Sequence, residues 1–478
     1  MEHGCIQFFS CCHLLEVFGI IRRTMNTDSD TITAIATAPG EGAIAIVRIS
    51  GPESILIADR VFRTKGPLPS QRTSNSFVHG RIISHGVIVD EVILLIYRAP
   101  HSYTGEDSIE IQGHGGSAAA QRILRCVVEA GARIADPGEF TKRAFLNGRI
   151  DLLQAEAVLD LIRARSDRAA VSALEQLEGE LSRTFGAIYD QLLTIAADIE
   201  ATLDFSEDEL PHALMKAIQD RLKQAEAGLK NLLATWDEGH ILREGAIVVI
   251  GGKPNVGKST LLNRLLGVDR AIVNRTPGTT RDIIEEQMVI NGYQVRIVDT
   301  AGLRQTECEI EGEGIRRARH YVQKADILIY MIDASQPVDS EERNYLEKCA
   351  DRTILVANKS DLGIDKANQS YMTNQSFIHC SLLDGSCDDI IRGKIGEKLS
   401  SLHHGQQQSV ISERHRRLVI LALKDIIETG LLVNVETPDT ALASSRLRSA
   451  LETLGEATGR VYYDELLNSI FSRFCIGK

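Results

Sequence analysis

Long uninterrupted apolar runs are missing from this 478-residue chain, and no stretch has the length and uniform apolarity of a membrane-spanning helix. Cysteine signatures are missing as well. The nine cysteines are scattered, with no CxxC pair and no Cys/His spacing that would hold zinc, which reads as a reducing, cytoplasmic compartment. A positive balance is also absent. Fifty-three Lys and Arg stand against 65 Asp and Glu, a net charge of −12, which argues against a broad non-specific nucleic-acid surface. A local basic groove, or a partner that supplies one, stays compatible with that balance. An apolar content of 43% supports ordinary folded cores, and the length predicts about three or four domains.

The first residues lack the order of a targeting signal. Cys5 to Ile21 is apolar and aromatic-rich but interrupted by His13 and Glu16, and Arg22-Arg23 follow the apolar run. A secretory signal carries its positive charge ahead of that run, and a mitochondrial transit peptide is richer in Arg and Ser. Translation is therefore expected to start at Met25, with residues 1–24 an extension outside the fold.

What is present centres on Gly251-Gly252-Lys253-Pro254-Asn255-Val256-Gly257-Lys258-Ser259-Thr260. Ala246-Ile247-Val248-Val249-Ile250 before it reads as a buried strand, and Leu261 to Leu266 after it as a helix. Strand, glycine-rich loop and helix in this order make a phosphate-binding loop, in which backbone N–H groups and the helix N-terminus face phosphate oxygens. Lys258 is placed to bridge the β- and γ-phosphates, and the Ser259 hydroxyl to bind Mg²⁺. Ile297-Val298-Asp299-Thr300-Ala301-Gly302 ends a strand with an acid that can hold Mg²⁺ through water, and the Gly302 N–H can reach the γ-phosphate. Asn358-Lys359-Ser360-Asp361 follows the apolar strand Thr353 to Ala357. The Asp361 carboxylate can accept both N1–H and N2–H₂ of guanine, a donor pair that adenine lacks. These motifs in order, each at a strand end, resemble a Ras-like GTPase domain.

Inside that domain Asn291-Gly292 predicts a hairpin turn. Asp326 to Asp333 reads as a buried strand and Phe377-Ile378-His379-Cys380-Ser381 as the last one, with Ser381 supporting the guanine and Leu382 standing where a small alanine is usual. Leu303 occupies the position at which Ras-like enzymes keep a glutamine that orients the attacking water. Hydrolysis then needs another group. Asn255 is placed to hold K⁺ beside the phosphates, with Asn274, Thr276 and Thr279 as further oxygen donors, and Thr280 takes a second Mg²⁺ position. The nucleotide-facing stretch Asn274-Arg275-Thr276-Pro277-Gly278-Thr279-Thr280 precedes Arg281-Asp282.

The flanks differ in character. From Thr31 to Gly51, alternating apolar residues around Pro39-Gly40 indicate β structure, followed by strands at Val78–Ile83, Glu91–Ile96 and Ser108–Gly116 and a helix over Ala118–Ala130. This predicts a compact α+β domain. Leu174, Leu177, Leu181, Phe185, Ile188, Leu192, Ile195 and Ile199 form an apolar seam expected along one long helix, with Pro211 breaking it. A second seam runs through Met215, Ile218, Leu222, Ala225, Leu229 and Leu232, and Leu418, Leu421, Ala422, Leu447, Leu451 and Leu454 continue the pattern after the GTPase domain. The expected architecture is a helical bundle built from both flanks, with the GTPase domain inserted and Gln406-Gln407-Gln408-Ser409 marking the return.

Together with the terminal Phe474-Cys475-Ile476-Gly477-Lys478, the stretches Gly-Lys-Pro-Asn-Val-Gly-Lys-Ser, Pro-Gly-Thr-Thr-Arg-Asp and Asp-Thr-Ala-Gly-Leu-Arg resemble the MnmE (TrmE) family of tRNA uridine-modification GTPases, from about Asp30 to Lys478. The resemblance implies a multidomain fold: an N-terminal tetrahydrofolate-binding and dimerisation domain over 25–143, a helical domain over 144–241 and 405–478, and a G domain over 242–404. It implies GTP, Mg²⁺, K⁺ and a tetrahydrofolate one-carbon donor in the 5-formyl or 5,10-methylene form. The implied partners are a second copy of the chain, the flavin-dependent MnmG (GidA) subunit in a heterotetramer, and tRNA, with no membrane. Glu311 matches a glutamate that acts in hydrolysis through water, and Arg304 joins Lys258 and Thr280 in the catalytic set. Folate contacts carry over to Arg48, Glu110, Arg149 and Lys478; arginine at 149, where lysine is also usual, keeps the charge and changes the hydrogen-bond geometry. Cys475 is a candidate catalytic thiol, its alternative being a packed structural cysteine.

The leading expectation is a GTP hydrolase that, with its flavin partner, adds an aminomethyl-type group to C5 of the wobble uridine of certain tRNAs. The alternative is a switch GTPase acting on ribosome or RNA without group transfer, a class that usually appends a basic RNA-binding domain. A membrane-remodelling GTPase would carry a lipid-binding surface, for which the residues past Met25 offer no candidate.

Overall fold

The structure, a computed structural model, describes residues 30–203, 212–267, 285–299, 321–348, 350–365, 372, 376–385, 387–401, 411–435 and 438–478. The chain divides into two compact units, residues 1–159 with 454–478, and residues 160–453.

The first unit is built on a seven-stranded sheet ordered β3-β4-β5-β6-β2-β1-β7. Its strands are β1 (Ile32–Ile35), β2 (Ile44–Ser50), β3 (Phe62–Arg63), β4 (Ser76–Ser84), β5 (Val87–Tyr97), β6 (Ser108–His114) and β7 (Arg133–Ile134). All neighbours are antiparallel except β1 and β7. Alternation sends Val47, Ile49, Leu94, Ile96, Ile109 and Ile111 to one face, where α1 (Ser54–Val61) and α2 (Ser117–Glu129) cover them with Ile57, Ala58, Ile123 and Val127. Period-two strands with one apolar face need such a cover, and α2 supplies it through apolar residues at helical spacing. α3 (Glu139–Leu146) and α4 (Leu152–Arg163) follow. Of these elements the sequence reading omits α1, β3, β7, α3 and α4.

The second unit holds helices and a six-stranded sheet. α5 (Asp167–Leu177) and α6 (Glu180–Leu203) replace the single long helix expected from the first apolar seam. The break is at Gly179, whose φ of +87° is open to glycine and strained for other residues. The seam itself changes at that point. Leu174 is 46% exposed, and α5 buries Ala169, Ala173 and Gln176 instead, while Leu181, Phe185, Leu192, Ile195 and Ile199 are buried along α6. α7 (His212–Ala234) buries Ile218, Leu222, Ala225, Leu229 and Leu232, and α8 (Trp236–Glu244) leads into the sheet.

The strands β8 (Ala246–Gly252), β9 (Glu285–Ile290), β10 (Tyr293–Asp299), β11 (Ile327–Asp333), β12 (Thr353–Asn358) and β13 (Phe377–His379) are ordered β13-β12-β11-β8-β10-β9. All pairs are parallel except β9 with β10, which are joined by Asn291 and Gly292 at φ +51° and +80°, the left-handed pair of a type I′ hairpin. α9 (Lys258–Gly267), α10 (Ser340–Lys348) and α11 (Asp388–Ser401) belong to the same sheet region, with Leu261, Leu265, Ile391 and Ile395 in the core beside Val248, Ile250, Ile297 and Ile329. The chain then runs through α12 (Glu413–Val433) and α13 (Thr440–Thr458). α12 packs on α7, and the Gln219 amide donates to the Val433 carbonyl at 3.1 Å. Leu421, expected on the buried stripe, is 54% exposed; the inward face of α12 is Leu418, Val419, Ala422, Ile426 and Val433. Pro211 and the Gln406–Ser409 return lie outside the described residues. The last helix, α14 (Asp464–Phe471), belongs to the first unit, with Leu467 and Phe471 buried. Among the described residues no helix is long and apolar enough to cross a membrane.

Candidate functional site

β8 lies between β10 and β11, and the loop it feeds opens at the carboxyl ends of these parallel strands, where doubly wound sheets bind their ligands. The loop is held open by backbone that only small residues fit. At Gly252 (φ +136°) a Cβ would stand 2.3 Å from the Met331 carbonyl oxygen, and at Gly257 (φ +106°) 2.5 Å from the Asn358 amide nitrogen. Asn255 sits between them in the left-handed region, φ +64°, with an exposed side chain.

Lys258 begins α9 and is buried, its ammonium donating to the carbonyls of Gly252 at 3.0 Å and Lys253 at 2.7 Å. The Ser259 hydroxyl donates to Asp299 at 2.8 Å. Hydroxyl and carboxylate from two motifs far apart in sequence thus converge at one point, the donor set that a hard divalent cation takes. Val256 anchors the loop in the core, 4% exposed. Lys253 reaches out of the loop to Asp339 and Glu342 at 2.8 and 2.9 Å.

Asn358 has a wider part than its motif implies. Its buried side chain donates to the Val256 carbonyl at 2.8 Å and accepts from the Leu382 N–H at 3.1 Å, tying the phosphate loop, β12 and the Ser381 segment together. This accounts for Leu382: its side chain is core, 5% exposed, and its N–H is committed to Asn358. Lys359, at φ +62°, donates to Asp333 at 2.7 Å. Burial raises the Asp333 pKa, but hydrogen bonds from Lys359 and Ser335 outweigh it and hold the carboxyl below its ordinary value. Asp361 is exposed beyond this joint, able to accept from a base. Thr260 is exposed on the first turn of α9 and Ser381 is half-buried beside Cys380. Asn274, Arg275, Thr276, Pro277, Gly278, Thr279, Thr280, Thr300, Ala301, Gly302, Leu303, Arg304 and Glu311 lie outside the described residues.

A second constellation occupies the first unit. Arg48 on β2 and Glu110 on β6 are cross-strand partners, and the guanidinium donates to one carboxylate oxygen through Nε at 3.0 Å and Nη2 at 2.8 Å. The Arg48 Cζ lies 5.1 Å from the Tyr103 ring and 5.6 Å from that of Phe140, and the Arg149 Cζ lies 5.4 Å from Tyr103. Arg48, Glu110, Tyr103 and Arg149 line a cavity of about 400 Å³ together with Tyr97 and the cis-linked Pro100. Arg48 Nη1 is buried and has no hydrogen-bond partner among the described residues. A buried donor of that kind calls for an acceptor. Burial, with the Arg48 charge, pushes the Lys478 ammonium below its usual pKa, Glu110 opposing. The chain end that carries it is wedged against β1, where a Cβ on Gly477 would meet the Ile35 carbonyl at 2.4 Å. Arg48, Glu110, Arg149 and Lys478, scattered through the sequence, are therefore neighbours. Cys475, three positions before Lys478, has an exposed side chain, and its carbonyl accepts from the N–H of Gly138 and of Lys478.

Sequence reasoning missed Tyr103 and Tyr97, which carry no motif. It also missed the ion-pair cluster of Arg143 with Asp30, Glu106 and Glu139 that fixes α3 beside this cavity's loop. Isolated charges in sequence do not announce their partners.

Residues 31–149 match the family profile described as the GTP-binding protein TrmE N-terminus, and residues 152–475 that of the MnmE helical domain. The tRNA modification GTPase MnmE of Moorella thermoacetica is 42% identical over 461 residues, 94% of this chain and 99% of that protein. The chain belongs to the MnmE family of tRNA modification GTPases. Its relatives of the same description from Geobacter sulfurreducens and Thermotoga maritima are 42% and 40% identical, each over 94% of this chain, with 99% and 100% of the relative covered. Among solved structures, the G domain of the T. maritima FeoB iron transporter matches 33% of this chain and 98% of that one, at 25% identity and a TM-score of 0.23. The chain is thus a GTPase of tRNA modification, which binds GTP with Mg²⁺.

Proposed function

We propose that this chain hydrolyses GTP in a K⁺-dependent cycle that serves addition of a carboxymethylaminomethyl or aminomethyl group to C5 of the wobble uridine of certain tRNAs. The observation that carries the reading is the presence in one chain of two built sites, the Lys258/Ser259/Asp299 loop and the Arg48/Glu110 cavity that gathers Arg149 and Lys478. A switch GTPase without group transfer has no use for the second.

In the first site, Lys258 would exchange its two loop carbonyls for phosphate oxygens, and Ser259, with Asp299 through water, would hold Mg²⁺, whose charge would offset that of the phosphates. Thr280 completes the metal site. Leu303 has no group with which to orient water, so Glu311 takes that part through a bridging water, with Arg304 in the same segment. Asn255, Asn274, Thr276 and Thr279 would hold K⁺, whose charge would offset the negative charge that develops on the phosphates. In the second site a tetrahydrofolate one-carbon derivative, 5-formyl or 5,10-methylene, is the ligand. The buried Arg48 Nη1 suits a ring carbonyl or carboxylate oxygen, Glu110 accepts from ring N–H groups, and Arg149 and Lys478 supply positive charge for the acidic tail. When bound, the folate supplies the carbon unit, and the exposed Cys475 thiol is the residue we assign to the reacting uridine.

The domains we propose are 25–143 for the folate-binding part, 144–241 with 405–478 for the helical part and 242–404 for the G domain. The working form is a cytoplasmic homodimer joined to a flavin-dependent MnmG-type subunit, acting on tRNA. Nucleoside analysis of tRNA from cells lacking the chain tests the reading. The modified wobble uridine should disappear; its persistence at normal level would end the proposal.

A further inference from the structure

A second cavity, of about 540 Å³, lies within residues 160–453 and is lined by Arg163, Arg165, Arg243 and Arg296 with Gln287 and Glu244 among its other residues. Four guanidiniums gathered in one cleft stand out in a chain of net charge −12. Lining carboxylate is supplied by Glu244, and Asp160 beside the cleft is engaged by Arg243 at 2.6 Å, as is the Gln176 carbonyl at 2.9 Å. Arg163 and Arg165 are exposed at the end of α4 and just past it, and Arg165 donates to Gln287 of β9. One step along, Arg168 stacks on Tyr293 with its Cζ 4.5 Å from the ring and donates to the Tyr293 hydroxyl at 2.6 Å. The positive groups are thus fixed by the helical segment against the β9–β10 edge of the nucleotide-binding sheet.

We infer that this cleft receives the phosphodiester backbone of tRNA. Planar guanidiniums match phosphate in bidentate fashion, and they are spread over three elements, as a backbone that runs along a groove requires. The cavity residues that touch the groove are polar or basic apart from Ile162 and Ala164, with no aromatic platform on which a base or an isolated nucleotide would stack. Sequence-independent charge at the cleft would hold the RNA without reading it. The location also offers a route to the GTP site, since Arg296 lies on β10 three positions before Asp299, which holds Ser259. This inference rests on the reading of the chain as a tRNA-modifying enzyme and adds the surface by which it holds the RNA.

The test measures binding of total tRNA to the full chain by fluorescence anisotropy across a KCl series, for the parent and for the pair Arg163→Glu/Arg165→Glu. Affinity should fall about tenfold or more at low salt, and the plot of log K against log[salt] should flatten by about two, one for each lost phosphate contact. Basal GTP hydrolysis should not change, because neither side chain belongs to the nucleotide site. Should the pair impair folding, Arg163→Gln alone is expected to flatten the slope by about one. Unchanged affinity and slope overturn the cleft assignment. Unchanged tRNA binding with loss of a co-purifying acidic protein also overturns it, in favour of a protein partner. The two readings fail separately: intact wobble modification in cells lacking the chain ends the functional reading, whereas lost modification with parental tRNA binding by the Glu pair ends only the cleft.

Discussion

Asn358→Ala should damage the G domain before any nucleotide arrives. The amide is buried and makes two bonds to backbone, donating to Val256 at 2.8 Å and accepting from Leu382 at 3.1 Å. Truncation leaves a buried carbonyl and a buried N–H without those partners, at about 1–3 kcal/mol each, so the loss is about 2–6 kcal/mol. No water fills the gap cheaply, because Gly257, Met331 and Leu382 crowd the site. The loss should appear in the nucleotide-free chain as an earlier G-domain unfolding transition in urea, followed by fluorescence, with the transition of the N-terminal unit unmoved. GDP affinity should fall as well, since the phosphate loop loses its tie to β12. Asn358→Asp should fare little better: it retains the acceptor for Leu382 but sets a carboxylate against the Val256 carbonyl. If the alanine variant unfolds like the parent without nucleotide and loses only guanine affinity, then the side chain acts on the base and the reasoning from its backbone bonds is wrong.

Arg48→Ala should weaken 5-formyltetrahydrofolate binding by about tenfold or more in calorimetry, as a buried charge-assisted bond is worth about 1.5–3 kcal/mol; equal heats for both proteins would remove the folate assignment. Replacing Na⁺ by K⁺ should accelerate GTP hydrolysis strongly, and equal rates in a phosphate-release assay would discard the alkali-ion role given to Asn255. Burial raises the Glu139 pKa, but bonds from Arg133, the Asp136 N–H and Arg143 prevail and hold it below the ordinary value. Its stabilisation is therefore present above the unfolded carboxylate range and lost as pH falls toward and through the folded value. Glu139→Gln should flatten the acid limb of the N-terminal unit's stability curve; a limb unchanged in shape would show that the cluster does not govern it.

Local patterns carried much of this protein. The strand–glycine loop–helix order around Lys258, the Asn291-Gly292 turn and the alternating strands of the first sheet depend on residues close in sequence, and backbone geometry alone makes them legible. Apolar periodicity also marked α7, though it ran through Gly179 and placed Leu174 and Leu421 inward, because a hydrophobic count does not register a left-handed glycine or which side a neighbour occupies.

Motif chemistry, and with it the type of nucleotide, was written into the sequence by itself, since each short stretch carries its own donors at fixed spacing. Which distant groups meet was left to the tertiary structure. Arg48 faces Glu110 because β2 and β6 are in register, Lys478 joins them because the chain end wedges against β1, and Asn358 spans two loops because β12 ends between them. The arginine cleft belongs to the same class. Its charges come from Arg163 and Arg165, Arg243 and Arg296, three places far apart in the sequence, and only packing of the helical segment on the β9–β10 edge brings them close enough for their fields to add.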